Sequence, residues 1–264
     1  MTFVQQWEKP EVVRSSRTLL LVTLPGAVLV VWPLFVPAAS VSQWQTFASP
    51  ALTALVIPVM FALAINETVQ HQFNTKQLAV IAVLIAVAAA VRPLGAGVAG
   101  IEPVWIVLII TGRALGATSG FIAGSGAIAT SAVLTGAIGP WMPYQMVLAA
   151  WIASVAGFLP RLTTRIETVF LACYAFVATF LFGWLMNLWF WTTATGLSEE
   201  IVFNPSASPF ERIQAWAHFS LVTSLGFDLP RACFCALGVA LASKPMLAAI
   251  RRANRRSLTQ PIEP

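Results

Sequence analysis

Four ionisable side chains interrupt the apolar runs of this sequence, and they are its best candidates for chemistry or ligand binding. Arg92 and Glu102 flank the glycine- and proline-rich segment RPLGAGVAGIEP, and Asp228 and Arg231 stand three residues apart in an apolar run. A charge near the centre of a bilayer costs roughly 2.5–3.5 kcal/mol even on insertion scales, so such residues are candidates for function. Pro230 disfavours an unbroken helix through the second pair. Three roles therefore stay open for that pair: self-neutralisation, a helix cap by Asp228, or contact with a ligand.

Catalytic and metal-binding patterns are missing from the sequence. It contains no H-E-x-x-H, no G-x-S-x-G, no aspartate-rich pair for a magnesium diphosphate and no Walker A loop. The two histidines are His71, in the polar loop NETVQHQFNTK, and His218, near the predicted outer end of the last apolar run. We predict that the chain is not an enzyme, that it holds no metal or cofactor, that His71 is solvated and that His218 is a candidate ligand contact. If the chain drives transport, the energy comes from another protein.

Composition places the chain among the integral membrane proteins. Hydrophobic residues make up 58% and charged residues 9% of the 264 residues, and the mean hydropathy is +0.81, which excludes an ordinary soluble domain. A membrane-spanning helix needs about 20 mostly apolar residues. The apolar runs predict an all-α bundle with spans at 18–37, 48–66, 77–91, 102–115, 119–138, 143–160, 168–192 and 217–243. The segment GRALGATSG is predicted to form the hairpin between the fourth and fifth spans.

The distribution of lysine and arginine predicts the orientation of these spans, since cytoplasmic loops collect both residues. With eight spans and a cytoplasmic N-terminus, twelve of the fifteen cations fall inside: Lys9, Arg14, Arg17, Lys76, Arg113, Arg161, Arg165, Lys244, Arg251, Arg252, Arg255 and Arg256. We therefore predict a multi-pass protein of the plasma membrane with both termini in the cytoplasm. The net charge of +5 reflects this topology and contact with membrane lipid, and no nucleic acid partner is needed to explain it.

Small residues recur at four-residue spacing in two of the predicted spans. Gly112, Gly116, Gly120 and Gly124 resemble an extended G-x-x-x-G ladder, which predicts turn chemistry and close helix packing, with direct ligand contact as the alternative. In the third span the repeated residues are Ala82, Ala86 and Ala90. Because lipid supplies no hydrophobic drive for helix association, flat faces that permit close contact become docking surfaces. The alanine face is predicted to pack either within the bundle or against another subunit.

Aromatic residues near the predicted external loops are candidates for ligand stacking. Trp105 and Trp141 lie next to these loops, where their rings suit a flat, conjugated ligand. Four other tryptophans are predicted to belong to the aromatic belts at the membrane interfaces: Trp32, Trp44, Trp189 and Trp191.

Several motifs follow one another between Gln77 and Arg256. They are an alanine-x-x-x-alanine helix, RPLGAGVAGIEP, two glycine-rich spans, TGAIGPWMPYQM and a terminal SLGFDLPRA that precedes basic residues. As a set they resemble the substrate-binding S component of an energy-coupling factor transporter. The resemblance implies a six-helix membrane domain that binds a vitamin or related micronutrient from outside, and it is closest to members associated with cobalamin-type compounds. It also implies a partner complex of a transmembrane coupling subunit and two cytoplasmic ATPase subunits.

The resemblance divides the chain into three parts. Residues 1–76 form a cytoplasmic segment and two additional transmembrane helices, residues 77–256 form the six-helix substrate-binding domain, and residues 257–264 form a cytoplasmic tail. The two helices of the first part depart from the six spans usual in the family, and the resemblance gives them no purpose.

Site residues follow from the resemblance position by position. Ala82, Ala86 and Ala90 match the small face that contacts the coupling subunit, and the segment from Arg92 to Pro103 matches the loop that gates the pocket. The predicted substrate-binding residues are Arg92, Glu102, Trp105, Trp141, Gln145, Asn187, His218, Asp228 and Arg231, with Tyr144 beside them.

Two other functions stay open at the level of sequence. One is a membrane enzyme that acts on a lipid, with Asp228 or Glu102 as its acid or base. The other is a self-contained secondary transporter built from inverted repeats, although no internal repeat is visible.

Overall fold

The computed structural model describes residues 25–37, 40, 49–70, 73–95, 100–160, 162 and 164–259. In this part of the chain every regular element is a helix, which confirms the predicted all-α class. A 3-10 turn at Arg92–Gly95 follows the third helix. The α-helices are α1 (Pro25–Phe35), α2 (Ser49–Gln70), α3 (Thr75–Val91), α4 (Val104–Leu115), α5 (Ala117–Thr135), α6 (Met142–Phe158), α7 (Thr164–Trp191), α8 (Pro209–Thr223) and α9 (Leu225–Thr259).

Helix length and composition support a membrane-embedded bundle. Within the described residues, four segments are long and apolar enough to cross a membrane, namely Thr75–Gly95, Ala117–Thr135, Ile166–Trp191 and Leu225–Arg255. Shorter apolar helices are α1, α4 and α6. With 12 residues, α4 is only about 18 Å long, less than the roughly 30 Å hydrocarbon core of a bilayer. The count of six plus two spans therefore stays a prediction.

The chain breaks its helix at Ser224, inside the span predicted at 217–243. The hydroxyl of Ser224 donates to the Asp228 carboxylate at 2.8 Å, and its oxygen also lies 2.9 Å from the Ser220 carbonyl, an alternative acceptor for the same hydrogen. The Ser224 carbonyl in turn accepts from the backbone N–H of Asp228 at 2.8 Å and so begins α9. A serine side chain that bonds to nearby polar groups competes with continuous helix, and Pro230 cannot donate a helical hydrogen bond. The predicted span therefore becomes two helices.

The second helix ends later than the predicted span at 48–66. Residues from Asn66 to Gln70, predicted to lie in a polar loop, are the last turn of α2. Glu67 in this turn is buried, and its carboxylate accepts a hydrogen bond from the Thr118 hydroxyl at 3.3 Å. A buried acceptor that pairs with the start of α5 explains why the helix continues. His71 lies outside the described residues, as does Trp44.

Glycine backbone contacts set the spacing of α4, α5 and α6. A Cβ atom at Gly112 or Gly120 would collide with the carbonyl of Ala153 in α6, and one at Gly124 would collide with the next turn of α6. Gly116, with φ of +97°, separates α4 from α5 and allows the turn between them. The structure confirms both the hairpin at GRALGATSG and the prediction that this ladder bends and packs helix backbones closely.

The first helix packs against the core of the bundle. The indole Nε1 of Trp32 donates to the Tyr144 hydroxyl at 3.3 Å, and the Arg212 guanidinium donates to the carbonyls of Pro33 and Val36 at 3.3 and 2.6 Å. Arg212 therefore satisfies carbonyls at the C-terminal end of α1 that helix geometry leaves without partners. The described part of the N-terminal region is thus bound to the later helices.

Two tryptophans predicted for interfacial belts are buried instead. Trp32 is 4% exposed, and Trp191 is 0% exposed with its Nε1 donating to the Ile201 carbonyl at 2.7 Å. The Trp191 ring packs edge-on against Phe203 at a centroid distance of 5.0 Å. These rings hold the segment after α7 against the bundle.

Replacing Gly120 by Ala tests the backbone packing. The new Cβ would lie 2.5 Å from the Ala153 carbonyl oxygen, so α5 and α6 must separate, and we expect a loss of about 1–3 kcal/mol in the free energy of unfolding. Gly226→Ala is the matched control, because nothing lies within 4 Å of a Cβ at this helical position, and it should stabilise the protein by about 0.5–1 kcal/mol. Thermal unfolding in detergent measures both. Equal melting temperatures for the two variants would contradict the packing argument.

Candidate functional site

A cluster of buried charges lies where α4 begins, α7 ends and α9 begins. Arg231 Nη1 donates to Asp228 Oδ1 at 2.6 Å, and Arg231 Nε donates to Glu102 Oε1 at 3.3 Å. We call Glu102, Asp228 and Arg231 the charged triad. The sequence predicted each residue as a site residue and paired only the last two. The structure brings Glu102 to the same guanidinium from 129 positions away in the chain.

Neighbouring polar groups complete the coordination of Asp228. Its second oxygen, Oδ2, accepts from the Ser224 hydroxyl at 2.8 Å. The Asn187 amide nitrogen donates to Ser224 Oγ at 2.6 Å and to Ser220 Oγ at 3.2 Å. Both carboxylate oxygens of Asp228 are therefore bonded, and a chain of hydrogen bonds connects α7 to the break between α8 and α9. Ser224 and Asn187 hold Asp228 in place for Arg231.

Glu102 is the most accessible member of the charged triad. Its side chain is 28% exposed, whereas those of Asp228 and Arg231 are 2% and 10% exposed. Trp105 Nε1 donates to Glu102 Oε2 at 2.5 Å, so each carboxylate oxygen has one protein donor. Glu102 is therefore the part of the charged triad nearest the surface, and the ion pair lies behind it.

Aromatic rings and one glycine line the inner side of the charged triad. The Trp105 ring packs on Phe182 with centroids 4.2 Å apart, and the Arg231 guanidinium lies 5.5 Å from the centre of the Phe182 ring. A Cβ atom at Gly183 would collide with the Asp228 carboxylate. Any larger residue on this turn of α7 would displace the ion pair. Aromatic packing and the missing side chain together give the buried charges their space.

A second polar contact joins the end of α3 to α6. Arg92 Nη2 donates to the Gln145 side-chain oxygen at 2.7 Å, and Arg92 Nη1 donates to Ser131 Oγ at 3.4 Å. The sequence placed Arg92 and Gln145 in the site without pairing them. In the structure this contact fixes the start of the segment that leads to Glu102.

The remaining predicted residues lie elsewhere. Trp141 packs edge-on against Trp189 with ring centroids 5.8 Å apart, and the Tyr144 ring lies 6.4 Å from the same indole.

His218 is exposed and lines a surface cavity of about 500 Å³. Glu199, Glu200 and Glu211 line the same cavity, and none of the other predicted site residues does. Hydrogen bonds from Ser208, the N-cap residue of α8, lower the pKa of the Glu211 carboxyl. The structure thus separates His218 from the charged triad.

Sequence reasoning missed three residues that shape the site. Ser224 and Ser220 carry hydrogen bonds around Asp228, and Gly183 leaves room for it. A signal for Ser224 existed, because it begins the motif SLGFDLPRA and stands one helical turn before Asp228. Gly183 stands alone in an apolar helix, and nothing in the sequence shows what it faces.

An ion-pair network closes the opposite end of the bundle. Arg113 binds Glu167 with a shortest distance of 2.7 Å, and it also donates to the carbonyls of Leu159 and Pro160 at 2.6 and 3.0 Å. Arg251 binds the same Glu167 oxygen at 3.1 Å. The network joins the end of α4, the residues after α6 and the start of α7 to α9, which indicates a structural role.

The predicted docking residues share the outer face of α3. Ala82, Ala86 and Ala90 are exposed, whereas Ala88 and Ala89 on the opposite face are buried. No part of the chain that the structure describes covers this alanine face.

No group of three or more histidine, cysteine, aspartate or glutamate residues within the described ranges is arranged to hold a metal ion. Comparison with protein-family models, with curated proteins and with solved structures finds no match to this chain. The functional argument therefore rests on the side chains themselves.

The charged triad predicts an order of stabilities. Asp228→Asn leaves Arg231 buried with its closest charge removed, and we expect a loss on the order of 3 kcal/mol in the free energy of unfolding. Glu102→Gln should cost less than about 1 kcal/mol, because this carboxylate is part-exposed and its contact with Arg231 is 3.3 Å long. The double variant Asp228→Asn/Arg231→Gln should recover part of the loss. Denaturant titration in detergent checks the order, and an Asp228→Asn variant as stable as the parent protein would refute it.

Proposed function

We propose that this chain is the substrate-binding S component of an energy-coupling factor importer, which takes up a vitamin or related micronutrient across the plasma membrane. The observation that carries the proposal is the charged triad, a hydrogen-bonded set of three ionisable groups, two of them buried, at one end of an apolar helix bundle. Ionisable residues inside membrane bundles are expensive and mark binding sites or transport pathways. A cobalamin-type compound is the substrate that the family resemblance favours.

The charge distribution supports an outward-facing position for the charged triad. Cations at the opposite end of the bundle outnumber those beside the triad, where the described arginines are Arg92, Arg212 and Arg231. Eight cations of the described ranges lie toward the opposite end: Lys76, Arg113, Arg165, Lys244, Arg251, Arg252, Arg255 and Arg256. Because cytoplasmic ends of membrane helices are enriched in lysine and arginine, the triad end is assigned to the outside.

The geometry favours binding over acid–base catalysis. Both carboxylates of the charged triad accept hydrogen bonds from Arg231, and each also accepts from a second side chain, Trp105 or Ser224. Protein donors therefore already occupy every oxygen of both carboxylates and hold them in fixed positions. Such groups suit the recognition of a ligand better than proton transfer.

A partner must supply the energy, because the sequence carries no Walker A loop. The exposed alanine face of α3 suits the docking of a transmembrane coupling subunit, since small residues let helix backbones approach closely. Two cytoplasmic ATPase subunits complete the proposed complex. Reorientation of the whole binding subunit against its partner would then release the ligand inside.

Cysteine labelling tests the orientation. In a background without the native residues Cys173, Cys233 and Cys235, a cysteine at Ser206 should react with an impermeant reagent applied to intact cells. One at Ser257 should react only after the cells are opened, because it lies in the basic last turns of α9. Labelling of Ser257→Cys from outside would overturn the orientation.

Replacing Ala86 by Leu tests the docking face. The added bulk should keep α3 from approaching the coupling subunit, so the yield of ATPase subunits that co-purify should fall roughly tenfold, a loss of about 1.4 kcal/mol. Ala249→Leu is the matched control, since Ala249 is also exposed but lies on α9. Full assembly of Ala86→Leu would remove the role assigned to this face, and the absence of any ATPase partner with the parent protein would overturn the proposed function.

A further inference from the structure

The charged triad has an unused hydrogen-bond donor. Arg231 engages Asp228 through Nη1 and Glu102 through Nε, and its Nη2 has no hydrogen-bond partner among the described residues. The arginine side chain is nine-tenths buried. Nη2 is not among the fully buried atoms of the described residues that lack a partner, so it is accessible, and a group from outside the chain can accept a hydrogen bond from it.

The unused donor lies beside an accessible acceptor. In a guanidinium group the N–H of Nε and one N–H of Nη2 share an edge, which usually binds both oxygens of one carboxylate. Here Glu102 occupies only the Nε side, at 3.3 Å, and its other oxygen accepts from Trp105. Each carboxylate oxygen accepts more than one hydrogen bond. The site therefore presents a free donor next to a carboxylate with remaining acceptor capacity.

The formal charges at this end of the bundle sum to zero, so the site has no net charge that would attract an ion. Glu102 and Asp228 carry two negative charges, and Arg231 with Arg92 at the same end carries two positive charges. An anionic group that approached Arg231 would face both carboxylates at short range. A cationic group would bind the Glu102 carboxylate, but it offers no acceptor atom for the N–H groups of Arg231 Nη2. The best complement is an uncharged group that donates and accepts side by side.

We propose that the ligand is recognised through a carboxamide or cyclic amide, whose N–H donates to Glu102 and whose carbonyl oxygen accepts from Arg231 Nη2. This assignment of a substrate class rests on the proposed function. The ligand approaches from the side of Glu102, the accessible member of the charged triad, while Asp228 stays bonded to Ser224 and fixes the guanidinium. Asp228 is thus a positioning residue, and Glu102 and Arg231 contact the ligand.

Matched pairs of small probes test this class. The purified full chain in detergent is titrated with nicotinamide and nicotinate, and with benzamide and benzoate, up to millimolar concentration, with binding followed by saturation-transfer NMR. Within each pair the amide should bind at least tenfold more tightly than the acid, a difference of about 1.4 kcal/mol. The acid places a negative charge against Glu102 and lacks the N–H.

Two variants locate the binding on the charged triad. Glu102→Gln should weaken binding of the amide roughly tenfold, because a charge-assisted acceptor becomes a neutral one. Glu200→Gln, which removes an exposed carboxylate outside the triad, should leave binding unchanged. Melting temperatures of both variants show whether each is folded, and Arg231→Lys, which keeps the charge but loses the fork of donors, should also weaken the amide.

Three results would overturn the proposal: equal or tighter binding of the acids, amide binding that Glu102→Gln leaves intact, or no binding of either amide. None of them bears on co-purification with ATPase subunits, which tests the proposed function separately. A protein that assembles with its ATPases yet prefers acids would keep its function and lose this substrate class.

Discussion

The buried charge of Arg231 is the constraint that the triad end of the bundle satisfies. A guanidinium with little exposure in an apolar bundle needs carboxylate partners nearby, and the structure supplies one from its own helix and one from the residue before Pro103. These requirements explain other local features. Ser224, at the break between α8 and α9, places its hydroxyl against Asp228, and α7 carries a glycine where a side chain would strike the ion pair. Local backbone structure at this end follows from electrostatics.

Close backbone packing holds the other half of the bundle rigid. α4 and α5 both meet α6 through glycines, so little side-chain volume separates these helices. The same α4 begins beside Glu102 and ends beside Arg113, whose guanidinium binds carbonyls at the end of α6. Because a packed core does not deform continuously, a displacement of Glu102 by a ligand would be carried along α4 as a shift of a whole helix. The fold thus connects the accessible carboxylate to the opposite end.

The sequence predicted the all-α fold class and the close packing of helices better than it predicted side-chain contacts between distant residues. Period and composition were sufficient for the all-α bundle, and glycine spacing was sufficient for the turn at Gly116, because both depend on short-range rules. The pairing of Glu102 with Arg231 could not be predicted in this way, since it joins residues that only the three-dimensional fold brings together. The break at Ser224 was missed because hydropathy does not distinguish one bent span from two helices. Eight spans, their orientation and the site as a whole stay predictions.

The two polar clusters differ in a way that bears on function. At the end assigned to the cytoplasm, Glu167 binds both Arg113 and Arg251, and Arg113 also donates to two backbone carbonyls, so each of its three guanidinium nitrogens has a protein acceptor. In the charged triad the guanidinium keeps a free N–H, and Glu102 is held by one long contact and one indole. The unused donor of Arg231 lies beside Glu102, the accessible carboxylate of the triad. The incomplete coordination of Arg231 is therefore the strongest structural indication that this end of the bundle receives a ligand.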